Sequence, residues 1–230
     1  RAARWRCCSA LARPPLDGFA SMDERLLLWI NQGWGHPALD GVFWWLSQRL
    51  WFAFPLASLL LYDSVRRWGW RGARLFLLLA LTVVVGDLLG GFLKDAFAAP
   101  RPCQAMFEEL RALGGAVAER CGKAPNGMPS NHAINFFAAA TFIALATPWR
   151  RWRIGLFACA VLVGLSRIYL GKHYPSQVLA GALVGALVGA LGAWLASRYP
   201  TVFRAPVVDA AGPAFHSPAA HRESDESNRS

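Results

Sequence analysis

Residues 178–196 read VLAGALVGALVGALGAWLA, 19 residues without a charge. A helix needs about 20 apolar residues to cross the hydrocarbon core of a bilayer, so this run is a membrane span. Gly181, Gly185 and Gly189 recur at every fourth position, with Ala182, Ala186 and Ala190 beside them. Such a stripe of small residues lets another helix approach closely, and packing is the role expected of it. Residues 75–93, LFLLLALTVVVGDLLGGFL, form a second run of 19 with one charge, Asp87. Three shorter runs flank these two: Leu50–Tyr62, Ala133–Thr147 and Ile154–Leu165. Together they predict an all-α, polytopic transmembrane helical bundle of about five spans. Met22–Trp34 reads as an amphipathic helix and Asp40–Ser47 as a second interfacial segment, rich in aromatics. Inserting one of these would make six spans.

Composition agrees. Of 230 residues, 55% are hydrophobic and 17% charged, against about 25% charged in soluble domains. The net charge of +10 would suggest nucleic acid in a soluble protein, but its arginines cluster beside apolar runs, where they report topology. Nucleic-acid binding is therefore not expected. Arg66, Arg67, Arg71 and Arg74 follow the first run, Arg150, Arg151 and Arg153 the third, and Arg198 and Arg204 the fifth. Alternation puts these loops on one face, the cytoplasmic one, and segments 94–132 and 167–177 on the other. Arginines within residues 1–25 oppose this orientation, and a start at Met22 would remove all but Arg25. Residues 1–21 are thus expected to be a non-native or disordered leader, 22–200 the membrane domain, and 201–230 a disordered cytoplasmic tail.

Three polar clusters lie at span ends on the non-cytoplasmic face. They are Lys94 with Arg101-Pro102, Pro129-Ser130-Asn131-His132, and Ser166-Arg167 with His173-Tyr174-Pro175-Ser176-Gln177. Taken singly, a basic residue at a span end is a snorkelling anchor and a loop histidine is merely solvated. Taken together they fit phosphoryl transfer, in which charge spread over three equatorial oxygens calls for positioned cations. Lys94, Arg101 and Arg167 supply these, and the guanidinium fork matches phosphate oxygens bidentately. Ser130 precedes a helix starting near His132, whose first N–H groups and the Ser130 hydroxyl would hold an anion. Two histidines allow one to attack phosphorus and the other to protonate the leaving group. No Cys/His cluster has metal-ligand spacing, so neither a metal nor another cofactor is expected.

The three clusters, in order and spacing, resemble the signature motifs of the type-2 phosphatidic acid phosphatase superfamily, which also holds vanadium haloperoxidases and glucose-6-phosphatase-like enzymes. The resemblance spans roughly Leu75 to Ala196. It implies that His173 is the nucleophile and forms a phosphohistidine, and that His132 is the general acid. It also implies that Lys94, Arg101, Arg167, Ser130 and the Asn131 amide hold the phosphate without metal. Two positions depart from the family pattern. Asn131 stands where Gly is usual, which keeps a backbone donor. Gln177 stands where an Asp usually orients the nucleophile, which keeps an acceptor but no charge.

Asp87 lies two turns before Lys94 on the same helical face. It either serves function, by orienting His173, or pairs with polar groups of a neighbouring helix. Cys103 and Cys121 share one extracytoplasmic loop, where a disulfide is permitted and expected. The expectation is a lipid phosphate or diphosphate phosphatase of the inner membrane with its site facing the periplasm. The resemblance suggests undecaprenyl diphosphate, phosphatidylglycerophosphate or lipid A phosphate, the first favoured. A lipid phosphotransferase and a non-catalytic membrane protein are the rivals.

Overall fold

The computed structural model describes residues 21–111 and 124–203. All of the expected leader but Ser21, nearly all of the tail, and Cys121 lie outside the described residues. Among those described, the regular structure is helical throughout. Helix α1 (Met22–Gly33) starts with a reciprocal cap, Ser21 Oγ accepting from Glu24 N–H and the Glu24 carboxylate from Ser21 N–H. Helix α2 (Pro37–Leu46) is capped by His36 and opens on proline. A π-helical turn, Arg49–Ala53, leads into α3 (Phe54–Trp68). Gly69 adopts φ 55°, a conformation that glycine takes without strain, and turns the chain into α4 (Trp70–Phe97). Then come a short α5 (Pro102–Ala105), α6 (Asn131–Ala146), α7 (Arg150–Tyr169), α8 (Pro175–Arg198) and a terminal turn α9 (Pro200–Phe203).

Among the described residues, three helices are long and apolar enough to cross a membrane, namely the one starting at Trp70, α7 and α8. Helices α3 and α6, of 15 and 16 residues, are shorter. Helix α6 is the centre, packed against α4, α7 and α8. The glycine stripe does what its spacing predicts. A Cβ on Gly181, Gly185 or Gly189 would run into the backbone carbonyls of Ser130, Ile134 and Ala138, so α8 lies directly on the α6 main chain. The opposite side of α8 presents Leu179, Leu183, Leu187 and Leu191 outward, an apolar face suited to lipid. Helices α1 and α2 pack their buried residues Leu27, Ile30, Phe43 and Leu46 against Tyr169, Ala133 and Val178, at the end of the bundle where α6 and α8 begin.

Candidate active site

The three predicted clusters converge at that end. His173 lies in the turn between α7 and α8 and is 2% exposed. Its backbone N–H donates to the Arg167 carbonyl at 3.2 Å, tying the turn to the end of α7. Its Nδ1 lies 2.8 Å from the Gly127 carbonyl oxygen and 3.2 Å from Gln177 Oε1. Both partners are acceptors, so Nδ1 carries the proton and Nε2 keeps its lone pair. Burial pushes the His173 pKa well below the usual 6.5, and Arg167, Arg101 and Lys94 push it further, partly offset by the Gly127 carbonyl. All three predicted cations therefore act on one buried imidazole.

Gln177 does more than touch the ring. Its Nε2 donates to the Pro100 carbonyl at 2.8 Å, beside Arg101, and its Oε1 also accepts from Tyr174 N–H at 3.2 Å. Its own carbonyl accepts from Ser130 N–H at 3.1 Å. One residue thus joins the loops that carry all three clusters. Gly127, which no motif marked, is held by its N–H to Ala99 O at 2.8 Å and supplies the nearer acceptor for His173. The only sequence hint was the Asn126-Gly127 turn dipeptide ahead of Pro129.

Ser130 is fully buried and precedes α6 without capping it, and its Oγ has no hydrogen-bond partner among the described residues. An unmet buried hydroxyl is costly unless a ligand meets it, and here it stands at a helix start suited to anions. The predicted start near His132 falls at Asn131. Arg101 reaches the Asn126 carbonyl through Nη2 at 3.4 Å, while its buried Nε has no such partner. His132 points Nε2 at the Ser47 carbonyl, 3.3 Å away, which requires a proton on that nitrogen.

Asn131 turns its side chain toward Asp87. Its Nδ2 donates to the Asp87 carbonyl at 3.1 Å and to Asp87 Oδ1 at 3.0 Å, and Asn135 donates to the same Oδ1 at 3.0 Å. Asp87 therefore binds α4 to α6 through Asn131 and Asn135, as the packing alternative required. A Cβ on Gly90 would come within 2.6 Å of Asn131 Oδ1, so this position must be small for the asparagine to fit. Cys103 is buried and disulfide-bonded, and Cys159 is a free thiol. A cleft of about 610 Å³ opens between α3, α4 and α6, with His132, Asn135 and Asp87 among its polar lining and Leu60, Phe76 and Val83 among its apolar lining.

Known proteins resemble this chain in sequence and in fold. Lipid A 1-phosphatase of Rhizobium etli is 33% identical over 140 residues, covering 59% of this chain and 55% of that protein. The undecaprenyl-diphosphatase of Sulfolobus acidocaldarius is 39% identical over 67 residues, 29% of each chain. The crystal structure of Aquifex aeolicus LpxE superposes with a TM-score of 0.56 and 26% identity, covering 77% of this chain and 97% of that one. The chain spans about half the length of the Rhizobium relatives it matches. Residues 74–200, more than half of the sequence and all three clusters, match the PAP2 superfamily, and the chain belongs to that family.

Proposed function

We propose that this protein is a metal-independent phosphatase of a membrane lipid phosphate, set in an inner membrane with its site facing the periplasm. In this reading α3 and α6 complete a bundle of five spans. The observation that carries it is the state of His173: buried, with Nδ1–H donating to two acceptors, and with Nε2 unprotonated among Lys94, Arg101 and Arg167. Nε2 attacks phosphorus while the bond from phosphorus to the lipid oxygen breaks, and His132 gives that oxygen its proton. The three cations, Ser130 Oγ and the first N–H groups of α6 hold the equatorial oxygens. Water, losing a proton to His132, then attacks phosphorus, breaks the bond to Nε2 and releases inorganic phosphate. The cleft beside His132 gives the apolar part of the leaving lipid a place between helices.

The substrate reading favours a phosphorylated glycolipid of the lipid A kind, because the Rhizobium relative acts on lipid A and matches over 59% of this chain. Undecaprenyl diphosphate, favoured from the sequence, is supported by the shorter match and stands second. Purified protein in detergent micelles, given lipid A, undecaprenyl diphosphate, phosphatidylglycerophosphate and phosphatidic acid, should release phosphate fastest from lipid A, unaffected by EDTA and inhibited by vanadate. Release from none of the four contradicts the phosphatase reading, and EDTA inhibition rescued by Mg²⁺ contradicts metal independence.

A further inference from the structure

The match to the family begins at residue 74, so α1 and α2 lie outside it. Yet these helices touch the segments that carry both histidines. Asp23 accepts from the Ser176 N–H at 2.9 Å and from Ser176 Oγ, three residues beyond His173. Asn31, 1% exposed, donates from Nδ2 to the Tyr169 carbonyl at 2.7 Å and accepts from the Arg111 N–H at 2.8 Å. Asp40 accepts from Arg111 Nη1 at 3.1 Å, from Arg111 Nη2, and from the Tyr169 hydroxyl. Arg111 also donates to Tyr169 OH at 2.7 Å and to the Asn31 carbonyl at 3.1 Å. Beyond α2, the Ser47 carbonyl accepts from His132.

Tyr169 is the focus of these contacts, and it follows Arg167 by two residues on α7. Two residues are about 200° around a helix, so Tyr169 and Arg167 leave on opposite sides. Tyr169 is fully buried and is gripped at its hydroxyl, at its carbonyl, and across its ring by Phe43 with centroids 4.6 Å apart. Holding it fixes the rotation of the last turn of α7, and so the direction of Arg167. The His173 N–H hangs from the Arg167 carbonyl, so the nucleophile is positioned by the same grip.

We propose that residues 22–47 form a clamp that sets the catalytic geometry, fastened by the Arg111–Asp40–Tyr169 network, and that these three are positioning residues. The proposal rests on the phosphatase reading above. The hydrogen bonds of the network replace one another poorly. Asn at position 40 cannot take the bidentate guanidinium as a carboxylate does, and Lys at 111 cannot supply the fork.

The test compares wild type with Asp40→Asn, Tyr169→Phe, Arg111→Ala, Arg111→Lys and the double variant Asp40→Asn/Tyr169→Phe. Each is assayed for kcat and KM on the best lipid phosphate and for its melting temperature. A misplacement of about 1 Å costs on the order of 100-fold in rate. The single variants at Asp40 and Tyr169 and Arg111→Ala should lose about 10- to 100-fold in kcat with KM changed less than about threefold. The melting temperature should hold, Arg111→Lys should recover part of the loss, and the double variant should lose no more than its worse parent. Single variants with kcat near wild type overturn the clamp, as do losses that add in the double variant or that track falling melting temperature. A wild-type protein inactive on every lipid phosphate overturns instead the phosphatase reading.

Discussion

Replacing Gly127 by alanine is the sharpest local perturbation of the nucleophile. A Cβ there would stand 2.7 Å from Gln177 Nε2, 2.7 Å from Pro100 O and 3.0 Å from Ala99 O. Two of these atoms are backbone carbonyls that cannot swing aside. Ordinary contact begins at 3.4 Å, so residue 127 must retreat by up to 0.7 Å. The Gly127 carbonyl would then leave His173 Nδ1, now at 2.8 Å, at the edge of hydrogen-bonding range. A buried donor stripped of its acceptor costs about 1 to 3 kcal/mol, or about five- to 150-fold in the population of the attacking geometry. Gln177 Oε1 remains as a second acceptor at 3.2 Å, so a loss near the lower end, about 10-fold in kcat, is expected. Gly91→Ala is the control, because a Cβ there meets nothing within 4 Å, and it should retain wild-type turnover. Phosphate release and thermal melts on both proteins decide the matter. Wild-type kcat in folded Gly127→Ala would refute the role of that carbonyl.

Other outcomes follow from the same geometry. Gln177→Ala should lose more than ring orientation, because it strands the Pro100 carbonyl and the Tyr174 N–H as well; kcat and melting temperature should both fall, whereas Asp87→Asn, which keeps an acceptor for Asn131 and Asn135, should leave kcat within about threefold. Near-wild-type turnover in Gln177→Ala with a large loss in Asp87→Asn would reverse this assignment. His173 has its pKa lowered, so in the free protein its ring should stay neutral as pH falls through 6.5, followed by NMR of the ring protons; half-protonation at or above 6.5 contradicts this. Because the folded state resists charging this ring, its contribution to stability is full above the unfolded value of about 6.5 and declines as pH falls below it. Cys103 should resist alkylation until reductant is added, while Cys159 reacts on unfolding without it. If the bridge runs to Cys121 as the shared loop suggests, its loss should cost about 3 kcal/mol of stability; peptide mapping that pairs Cys103 elsewhere would contradict that partner.

Much of this was legible in the letters. The period-four glycines of Val178–Ala196 could only bury a close helix contact, and they lie on the main chain of α6 at Ser130, Ile134 and Ala138. The three clusters are short motifs at span ends, and chain direction alone brought them to one face. What escaped was carried by the backbone or by long separation. The acceptor at Gly127 and the one at Ser47 are carbonyls, which every residue has and no letter advertises. Arg111 reads as a loop charge until the fold brings it to Asp40, 71 residues earlier in the chain. Asp87 was left between two roles because the sequence gives its face but not its neighbour; Asn131, the departure from the usual glycine, proved to be that neighbour.

The central claim is a covalent bond between phosphorus and Nε2 of His173. Protein mixed for milliseconds with ³²P-labelled lipid phosphate, then quenched in alkali, should retain label that is stable to base and released by acid, as a phosphohistidine is. Digestion should place that label on the peptide containing His173, and His173→Ala should retain none. Label on any other residue, or turnover by His173→Ala, would contradict the account.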